Sequence, residues 1–357
     1  MIISRTPFRI SFFGGGTDYP AWYRQHGGTV LAATINKYCY LTCRYQPPFF
    51  EHLIRVVWSK VEMCQSIDEI AHPSVRACLH YLKINRGVVI HHDGDLPARS
   101  GMGSSSAFTV GLLNALLALQ GKISSKKQLA QESIHVEQEI LKETVGSQDQ
   151  VLAAYGGLNH VTFLANDEFY VRPITLTQER LTELNSHLML FYSGIQRTAS
   201  DVAQSYVNDL DAKKRQLRIL KDLVEESISI LNSAQDLTAF GELLHEAWQA
   251  KRSLSNSVSN PEIDDLYELA RNCGAIGGKI TGAGGGGFFL FFVPPEKQTK
   301  LREKLNKLIY VPFKFEFAGS QIIFSEHEED YSALEKYRIN QQVEAFREST
   351  NITSTKE

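Results

Sequence analysis

The segment DLPARSGMGSSSAF, residues 95–108, combines residue types that can hold phosphate. Gly101 and Gly103 lack side chains, so the backbone there can approach an anion closely, and an apolar helical pattern follows at once. The start of such a helix presents free N–H groups and the positive end of the helix dipole. The pattern favours a nucleotide as the anion; the alternative is an ordinary helix N-terminus with serine caps.

Two better-known phosphate-binding motifs do not fit this chain. A Walker loop requires Gly-Lys followed by Ser or Thr, and the nearest approach, GKI at residues 278–280, ends in isoleucine. The Rossmann spacing of glycines occurs within residues 281–289, but the apolar run FFLFFV follows where a dinucleotide fold needs a helix. We interpret that spacing as accidental.

Three further segments carry residues suited to a ligand. In FRISFFGGGTDYP, residues 8–20, Asp18 is a carboxylate suited to the paired hydroxyls of a sugar, or else the cap of a glycine-rich turn. Asp149, within VGSQDQ, could accept the proton of an attacking hydroxyl or hold that hydroxyl in line; a helix N-cap is the alternative. Four glycines at 284–287 beside an apolar strand predict a second backbone wall, since glycine weakens a strand unless something approaches closely.

These groups together fit phosphoryl transfer, which needs fixed phosphates, shared Mg²⁺, an in-line acceptor and neutralised charge. The hydroxyl of Ser105 and the carboxylate of Glu137 are oxygen ligands for a hard cation, although Glu137 alone would also suit a solvated helix face. Arg9 is the cation that would keep Asp149 ionised. The predicted ATP-binding residues of the loop are Pro97, Arg99, Ser100, Gly101, Met102, Gly103, Ser104, Ser105 and Ser106.

Composition excludes several other classes of protein. The 357 residues have a formal net charge of −3 and no run of like charges, so we expect no binding to nucleic acid or to anionic membranes. Five cysteines without a C-x-x-C pair argue against a disulfide framework or a zinc site. No segment reads as a signal peptide or reaches membrane-spanning length, which predicts a cytoplasmic protein.

The order of predicted elements indicates an α+β protein of two domains. Strands are expected at residues 2–13, 29–35, 38–45, 54–58, 88–92, 158–163 and 169–174, and helices at 66–82, 104–119 and, with Ser124 or Ser125 as cap, up to about 141. The polar stretch 175–185 is the predicted boundary, and a new strand begins at Leu188, followed by three helical segments. We therefore expect domains at 1–182 and 183–325, with a charged tail at 326–357.

Three of these segments together resemble the three motifs of the GHMP kinases, the superfamily of galactokinase, homoserine kinase and mevalonate kinase. The motifs correspond to RTPFRISFFGGGTDYP, LPARSGMGSSSAF and KITGAGGGGFF, and the match spans residues 1 to about 325. Several segments are most similar to the D-glycero-D-manno-heptose 7-phosphate kinases. The resemblance implies a ribosomal S5 domain 2-like N-terminal half and a ferredoxin-like C-terminal half, with ATP and sugar between them.

The resemblance also implies roles for individual residues. Asp149 matches the catalytic aspartate and Arg9 the basic residue beside it. Ser105 and Glu137 match the Mg²⁺ ligands, with Glu139 and Glu143 as alternatives to the glutamate. The predicted substrate-binding residues are Gly15, Gly16, Thr17, Asp18, Arg197, Lys279, Gly284 and Gly285.

The implied function is an ATP- and Mg²⁺-dependent kinase for the anomeric hydroxyl of a heptose 7-phosphate, a small-molecule substrate; the oligomeric state stays open. Arg197 is the candidate for the substrate's own phosphate, or else a surface arginine beside a helix cap, and Lys279 is a further candidate. Trp58 could wall the adenine pocket or lie in the core. The rival functions are a 1-kinase for free fucose, galactose or mannose, and a non-catalytic sugar sensor.

Overall fold

A computed structural model describes residues 1–195, 213–234 and 236–327 of the chain. Within these residues the protein consists of one large mixed sheet and one smaller antiparallel sheet, each covered by helices. No helix in these ranges combines the length and apolarity needed to cross a membrane. All five cysteines are free and buried, as expected for a chain without a disulfide framework.

The larger sheet contains the N-terminal part of the chain and positions the phosphate loop. Its strands are β1 (Ile2–Phe13), β2 (Gly28–Tyr45), β3 (Ile54–Val57), β4 (Val61–Cys64), β5 (Val88–Gly94), β6 (Leu158–Phe163), β7 (Phe169–Pro173) and a late strand at Gln321–Ser325. β2 is long enough to pair with β1 along its length, with β6 at its start and with β5 at its end. The sequence predicted two separate strands, at 29–35 and 38–45, where the structure has the single strand β2.

Helices cover this sheet and carry the residues of interest. They are α1 (Pro20–His26), α2 (Pro73–Tyr81), α3 (Ser104–Leu119), α4 (Lys126–His135) and α5 (Gln148–Tyr155), with a 3₁₀ turn at Ile67–Glu69. α3 has the predicted bounds, and its largely apolar surface packs against β1, β2, α4 and α5. α4 has the predicted cap, because the Ser125 side chain accepts a hydrogen bond from Gln128 N, and it ends in a π-helical turn at Val136–Ile140.

The C-terminal part of the chain forms the smaller sheet. Its strands are β8 (Leu188–Tyr192), β9 (Gly277–Ile280), β10 (Phe288–Phe292) and β11 (Ile309–Tyr310), in the order β11-β8-β10-β9. Its helices are α6 (Gln178–His187), α7 (Lys214–Asn232), α8 (Thr238–Arg252), α9 (Pro261–Asn272) and α10 (Pro295–Lys304). α7 and α8 also reach β1, so they join the two sheets.

Two expectations about the domain division require correction. The stretch 175–185 contains most of α6, whose N-cap Thr177 accepts a hydrogen bond from Arg180 N. The late strand β12 (Gln321–Ser325) pairs with β1, so the chain returns to the N-terminal sheet before its end. Short-range patterns identify a strand but not the sheet that it joins, because pairing depends on distant edges.

Aromatic side chains fill the junction between the two sheets. Phe240 of α8 lies edge to face with Phe12 and Phe13 of β1, at ring-centroid distances of 5.7 and 5.1 Å. All three rings are fully buried. Burial of large aromatic surfaces provides much of the stability of such an interface. The packing fixes β1, with Arg9 on it, relative to the glycine-rich segment that precedes β10.

Candidate active site

Arg9 and Asp149 form an ion pair at the centre of the site. Arg9 Nε donates to Asp149 Oδ1 at 2.6 Å, and Arg9 Nη2 donates to Asp149 Oδ2 at 2.7 Å. The arginine side chain is 5 % exposed and the aspartate side chain 22 %. A bidentate guanidinium fixes both the charge and the orientation of a carboxylate. Asp149 stands in the first turn of α5, so it is not the N-cap; that residue is Ser147.

The phosphate loop wraps around this pair. Arg9 Nη1 donates to the carbonyl oxygen of Gly101 at 2.7 Å, and Arg9 N donates to that of Met102 at 3.1 Å. Gly103 has φ 73°, and a Cβ there would lie 3.2 Å from Arg9 Cγ and 3.4 Å from Asp149 Oδ2. Glycine at this position therefore brings the loop backbone against the charged pair.

The amides at the start of α3 are available to an anion. Gly103 is the N-cap without a side-chain hydrogen bond, and the first intrahelical bond runs from Ala107 N to Gly103 O. The N–H groups of residues 104–106 therefore have no acceptor within the helix. Pro97 and Arg99 are exposed, while Ser100 is buried and donates to Pro97 O. The loop has the geometry of an anion site at a helix N-terminus.

Glu137 lies on the π-helical turn and is completely buried, so it is not part of a solvated helix face. Its Oε2 accepts hydrogen bonds from Ser106 Oγ at 2.9 Å and from Gln150 Nε2. Burial raises the pKa of the carboxyl to about 7, against the lowering effect of the nearby Thr109 hydroxyl first and then of these two donors. Its Oε1 is buried and has no hydrogen-bond partner among the described residues. A buried carboxylate oxygen without a partner is uncommon and requires a physical explanation.

The serine that contacts Glu137 differs from the one predicted. Ser105 is exposed and Ser106 is buried against the glutamate. Successive residues of a helix point about 100° apart, so one position exchanges the inward and outward faces. Of the alternative glutamates, Glu139 is exposed and pairs with Lys142, whereas Glu143 is half-buried. That Ser105 is a ligand of Mg²⁺ stays a prediction.

The Gly-Thr-Asp motif is buried and bonded within the chain, and its predicted contact with sugar hydroxyls stays a prediction. Asp18 is 1 % exposed; its Oδ1 accepts from Gly16 N at 2.9 Å, and its Oδ2 accepts from Gln148 Nε2 at 2.9 Å. Thr17 is buried and donates to the carbonyl of Gly14. Burial, and then the charge of Asp149, raise the pKa of Asp18. In this geometry Asp18 holds the loop that precedes Asp149, because its acceptors are occupied within the chain. Gly15 is the half-exposed member of the motif.

The glycine-rich segment lies against the phosphate loop through Gly287, a member of the predicted wall, and through the preceding Gly282. A Cβ on Gly282 would lie 2.6 Å from Gly101 Cα, and one on Gly287 would lie 2.1 Å from Ser100 O. Gly284 instead lies against Val258, and Gly285 N donates to the same residue's carbonyl. The segment therefore supports the phosphate loop from behind.

We expect Gly282→Ala to destabilise the protein and weaken nucleotide binding. Gly282 has φ 68°, and its Cβ would meet the Gly101 backbone, so strain and contact together should cost about 3 kcal/mol. Gly121→Ala is the matched control, since Gly121 has φ 72° with nothing within 4 Å of the added Cβ. It should cost about 1 kcal/mol and leave the KM for ATP unchanged. Urea unfolding and ATP titration measure both effects; equal losses would contradict the contact.

Lys279 is buried, and its predicted contact with a substrate phosphate stays a prediction. Its Nζ donates to the carbonyl oxygens of Ser11 and Phe12 at 2.9 and 3.1 Å, and the residue is 4 % exposed. Burial, followed by the charge of Lys251, lowers its pKa well below the ordinary value. Lys279 thus joins β9 to β1. Arg197 lies outside the described residues.

Trp58 lies beside the helix that carries the phosphate loop. Its ring meets His72 edge to face at 5.0 Å, and His72 stacks on Phe108 of α3 at 4.7 Å. Its Nε1 donates to Glu62 at 2.7 Å, and the residue is half-buried rather than in the core. Contact with adenine stays a prediction that this position favours.

Sequence reasoning missed three residues of the site. Gln148 and Gln150 flank Asp149 and hold Asp18 and Glu137 respectively. Their place within GSQDQ was a signal that could have been used. Lys251, near the end of α8, is buried and close enough to Arg9, Asp18 and Asp149 for their charges to shift its pKa. No local motif marks it.

Comparison with known proteins agrees with this geometry. The model of the GHMP kinases N terminal domain matches residues 70–157, and the model of the GHMP kinases C terminal matches residues 213–311. Together the two matches span more than half of the chain. The first contains the phosphate loop, Glu137 and Asp149, and the second contains Lys251 and the glycine-rich segment.

Individual relatives point in the same direction. The chain is 28 % identical over 327 residues to a D-glycero-alpha-D-manno-heptose 7-phosphate kinase of Campylobacter jejuni, covering 86 % of this chain and 93 % of that one. It is 24 % identical to the L-fucokinase/L-fucose-1-P guanylyltransferase of Bacteroides fragilis, covering 80 % of this chain and 34 % of that one.

A solved structure described as a D-glycero-D-manno-heptose 1-phosphate kinase from Bacteroides thetaiotaomicron superposes with a TM-score of 0.75 at 23 % identity. The superposition covers 92 % of this chain and 100 % of the other, which shows a shared two-domain fold. The family matches therefore agree with the geometry of the site, in which an anion-binding loop lies beside an ion-paired aspartate. The chain belongs to the GHMP kinases and is a sugar kinase of that ATP-dependent family.

Proposed function

We propose that this protein transfers the γ-phosphoryl group of ATP to the anomeric hydroxyl of D-glycero-D-manno-heptose 7-phosphate, giving the 1,7-bisphosphate. The observation that carries the proposal is the match to the Campylobacter heptose 7-phosphate kinase over 93 % of that protein's length. The Arg9–Asp149 pair supports the chemistry, because it places an oriented carboxylate beside the anion-binding loop.

In the proposed reaction Asp149 accepts the proton from O1 of the sugar as the O1–P bond forms. The bond between the γ-phosphorus and the bridging oxygen breaks, and its electron pair leaves with ADP. Arg9 orients Asp149, and its contact with Gly101 O ties the base to the loop. The free amides of residues 104–106 hold the phosphates of ATP.

Mg²⁺ fits the residues beside this loop. The donors there are hard oxygens, and the buried Oε1 of Glu137 has no partner among the described residues. Glu137 would hold the ion together with a serine hydroxyl, for which Ser105 was predicted and Ser106 lies in contact. When bound, Mg²⁺ neutralises charge on the phosphates of ATP.

The substrate's own phosphate separates this proposal from a kinase of free sugars. Release of ADP should be measured with heptose 7-phosphate, with the same heptose lacking the 7-phosphate, and with mannose, galactose and L-fucose. We expect turnover with the heptose 7-phosphate alone. Turnover only with a free sugar would support kinase activity but contradict the proposed substrate. ATP binding without any turnover would favour the non-catalytic sugar sensor.

Arg197 is the residue proposed to bind that phosphate. Arg197→Ala should raise the KM for heptose 7-phosphate at least tenfold and leave the KM for ATP unchanged, because one charge-assisted pair contributes about 1.5–3 kcal/mol. Arg172→Ala provides a control, since Arg172 contacts His160 on the N-terminal sheet. An unchanged KM for the sugar phosphate would remove Arg197 from the site.

A further inference from the structure

Lys251 is a buried lysine that no motif of the sequence marks. It lies in the last turn of α8 and is 4 % exposed. Among the described residues, the carbonyl oxygen of Gly282 accepts a hydrogen bond from its Nζ. An ammonium group has three donors, so Lys251 holds further N–H groups in a protein interior. A buried N–H group without a hydrogen-bond acceptor costs free energy unless an acceptor such as a bound ligand contacts it.

In the described part of the chain, basic side chains outnumber acidic ones around Lys251. The groups that face it are Arg9 on β1, Asp18 after β1, Asp149 on α5 and Lys279 on β9. Among the described residues of this cluster, three basic side chains therefore meet two acidic ones. Burial, and then the charge of Arg9, lower the pKa of Lys251 to about 8, while Asp18 and Asp149 act in the opposite direction. An additional anion would balance the cluster.

The contact with Gly282 places Lys251 next to the phosphate loop. Gly282 lies against Gly101, and Gly101 O accepts from the guanidinium of Arg9. Thr281, beside Gly282, also lies against Gly101, and its buried hydroxyl has no partner among the described residues. Lys251, which belongs to the C-terminal half, therefore lies close to the phosphate loop of the N-terminal half.

We propose that Lys251 is a further catalytic residue, which donates to a non-bridging oxygen of the γ-phosphoryl group during its transfer. Lys251 keeps its proton throughout; the acceptor's proton goes to Asp149, the acceptor oxygen bonds to phosphorus, and the broken P–O bond's electron pair leaves on ADP. A fixed cation at the transferring group stabilises the charge of the transition state. The inference rests on the phosphoryl transfer and holds for any hydroxyl acceptor.

The test compares Lys251→Met, Lys251→Gln and Lys251→Arg. Gln can still donate to Gly282 O but carries no charge, whereas Arg restores the charge. We expect kcat to fall 10²- to 10³-fold in the Met and Gln variants, with the KM for ATP within threefold, and Arg to recover at least a tenth of the wild-type kcat. Lys221→Met is the matched control, because Lys221 is likewise a lysine of the C-terminal half that donates to a backbone carbonyl, His26 O at 2.8 Å.

A pH profile separates charge from structure. A lysine with a pKa near 8 in the free enzyme is protonated below that value, so the wild-type kcat/KM for ATP should fall above about pH 8 and the Arg variant should lack this fall. Thermal unfolding and ADP binding show that each variant is folded. A Gln variant with wild-type kcat, or a Lys221 variant that loses as much as Lys251→Met, would overturn the proposal. All variants are assayed with whichever acceptor the wild type phosphorylates. If the wild type does not phosphorylate heptose 7-phosphate, that result rejects the proposed substrate but not the role of Lys251, which is tested with the acceptor that the enzyme does use.

Discussion

Replacing Asp149 by Asn should lower kcat by about 10³-fold while the affinity for ATP stays within a factor of about three. Asparagine keeps the shape of the side chain but cannot accept the sugar's proton, and it loses the ion pair with Arg9. The nucleotide loop is held separately, because Arg9 still donates to Gly101 O. Steady-state kinetics with ATP and the sugar phosphate, together with calorimetric titration of ADP, measure the two effects.

Asp167→Asn is the control for this experiment. Asp167 forms an ion pair of similar length with Arg24, at 2.7 Å between Nε and Oδ1, on the protein surface. Its φ of 64° is one that asparagine adopts readily, so the substitution adds no strain. Wild-type kcat in this control, beside the loss at Asp149, assigns the effect to the site. If Asp149→Asn kept most of its activity, Asp149 would not be the base.

Glu137→Gln should affect activity and stability in opposite directions. Loss of the negative charge removes the proposed ligand for Mg²⁺, so we expect kcat to fall by about 10²-fold or more and the Mg²⁺ requirement to rise. The folded metal-free protein, in contrast, should gain stability at pH 8. There the buried carboxyl, whose pKa is raised to about 7, must be charged without a paired cation.

The pH dependence follows from the direction of the shift. A carboxyl whose folded pKa lies above its ordinary value of 4.5 reduces stability progressively as the pH rises, fully so above about 7. The gain from Gln should therefore be absent near pH 4 and reach up to about 3 kcal/mol at pH 8. Urea unfolding in EDTA at both pH values measures it. A Gln variant less stable than the wild type at pH 8 would contradict the assigned burial cost.

Gln serves as a close replacement because of the pattern of contacts around Glu137. Oε2 accepts from Ser106 and Gln150, and an amide oxygen can take both bonds. Oε1 has no partner among the described residues, so an amide nitrogen in its place loses none. Glu139→Gln controls for the loss of one charge, since Glu139 is exposed and pairs only at the surface with Lys142. It should leave both kcat and stability nearly unchanged.

The sequence by itself determined the local machinery. The bounds of β1 and α3 follow from their apolar patterns, and the glycines of the phosphate loop follow from the positive φ that the backbone needs there. Asp149 and Arg9 were recognisable because phosphoryl transfer needs a base and a cation. These features depend on neighbours within a few residues, where residue type and spacing decide the conformation.

Tertiary structure alone decided how distant groups meet. The contact of Ser106 rather than Ser105 with Glu137 depends on how α3 is rotated against its neighbours, and the sequence fixes only its helical period. Asp18 accepts a hydrogen bond from Gln148 because the two loops pack together. Lys251 joins the site through a bond to a glycine 31 residues away, and β12 returns to β1 across most of the chain. Such contacts depend on the global packing of helices and sheets, which no short segment encodes.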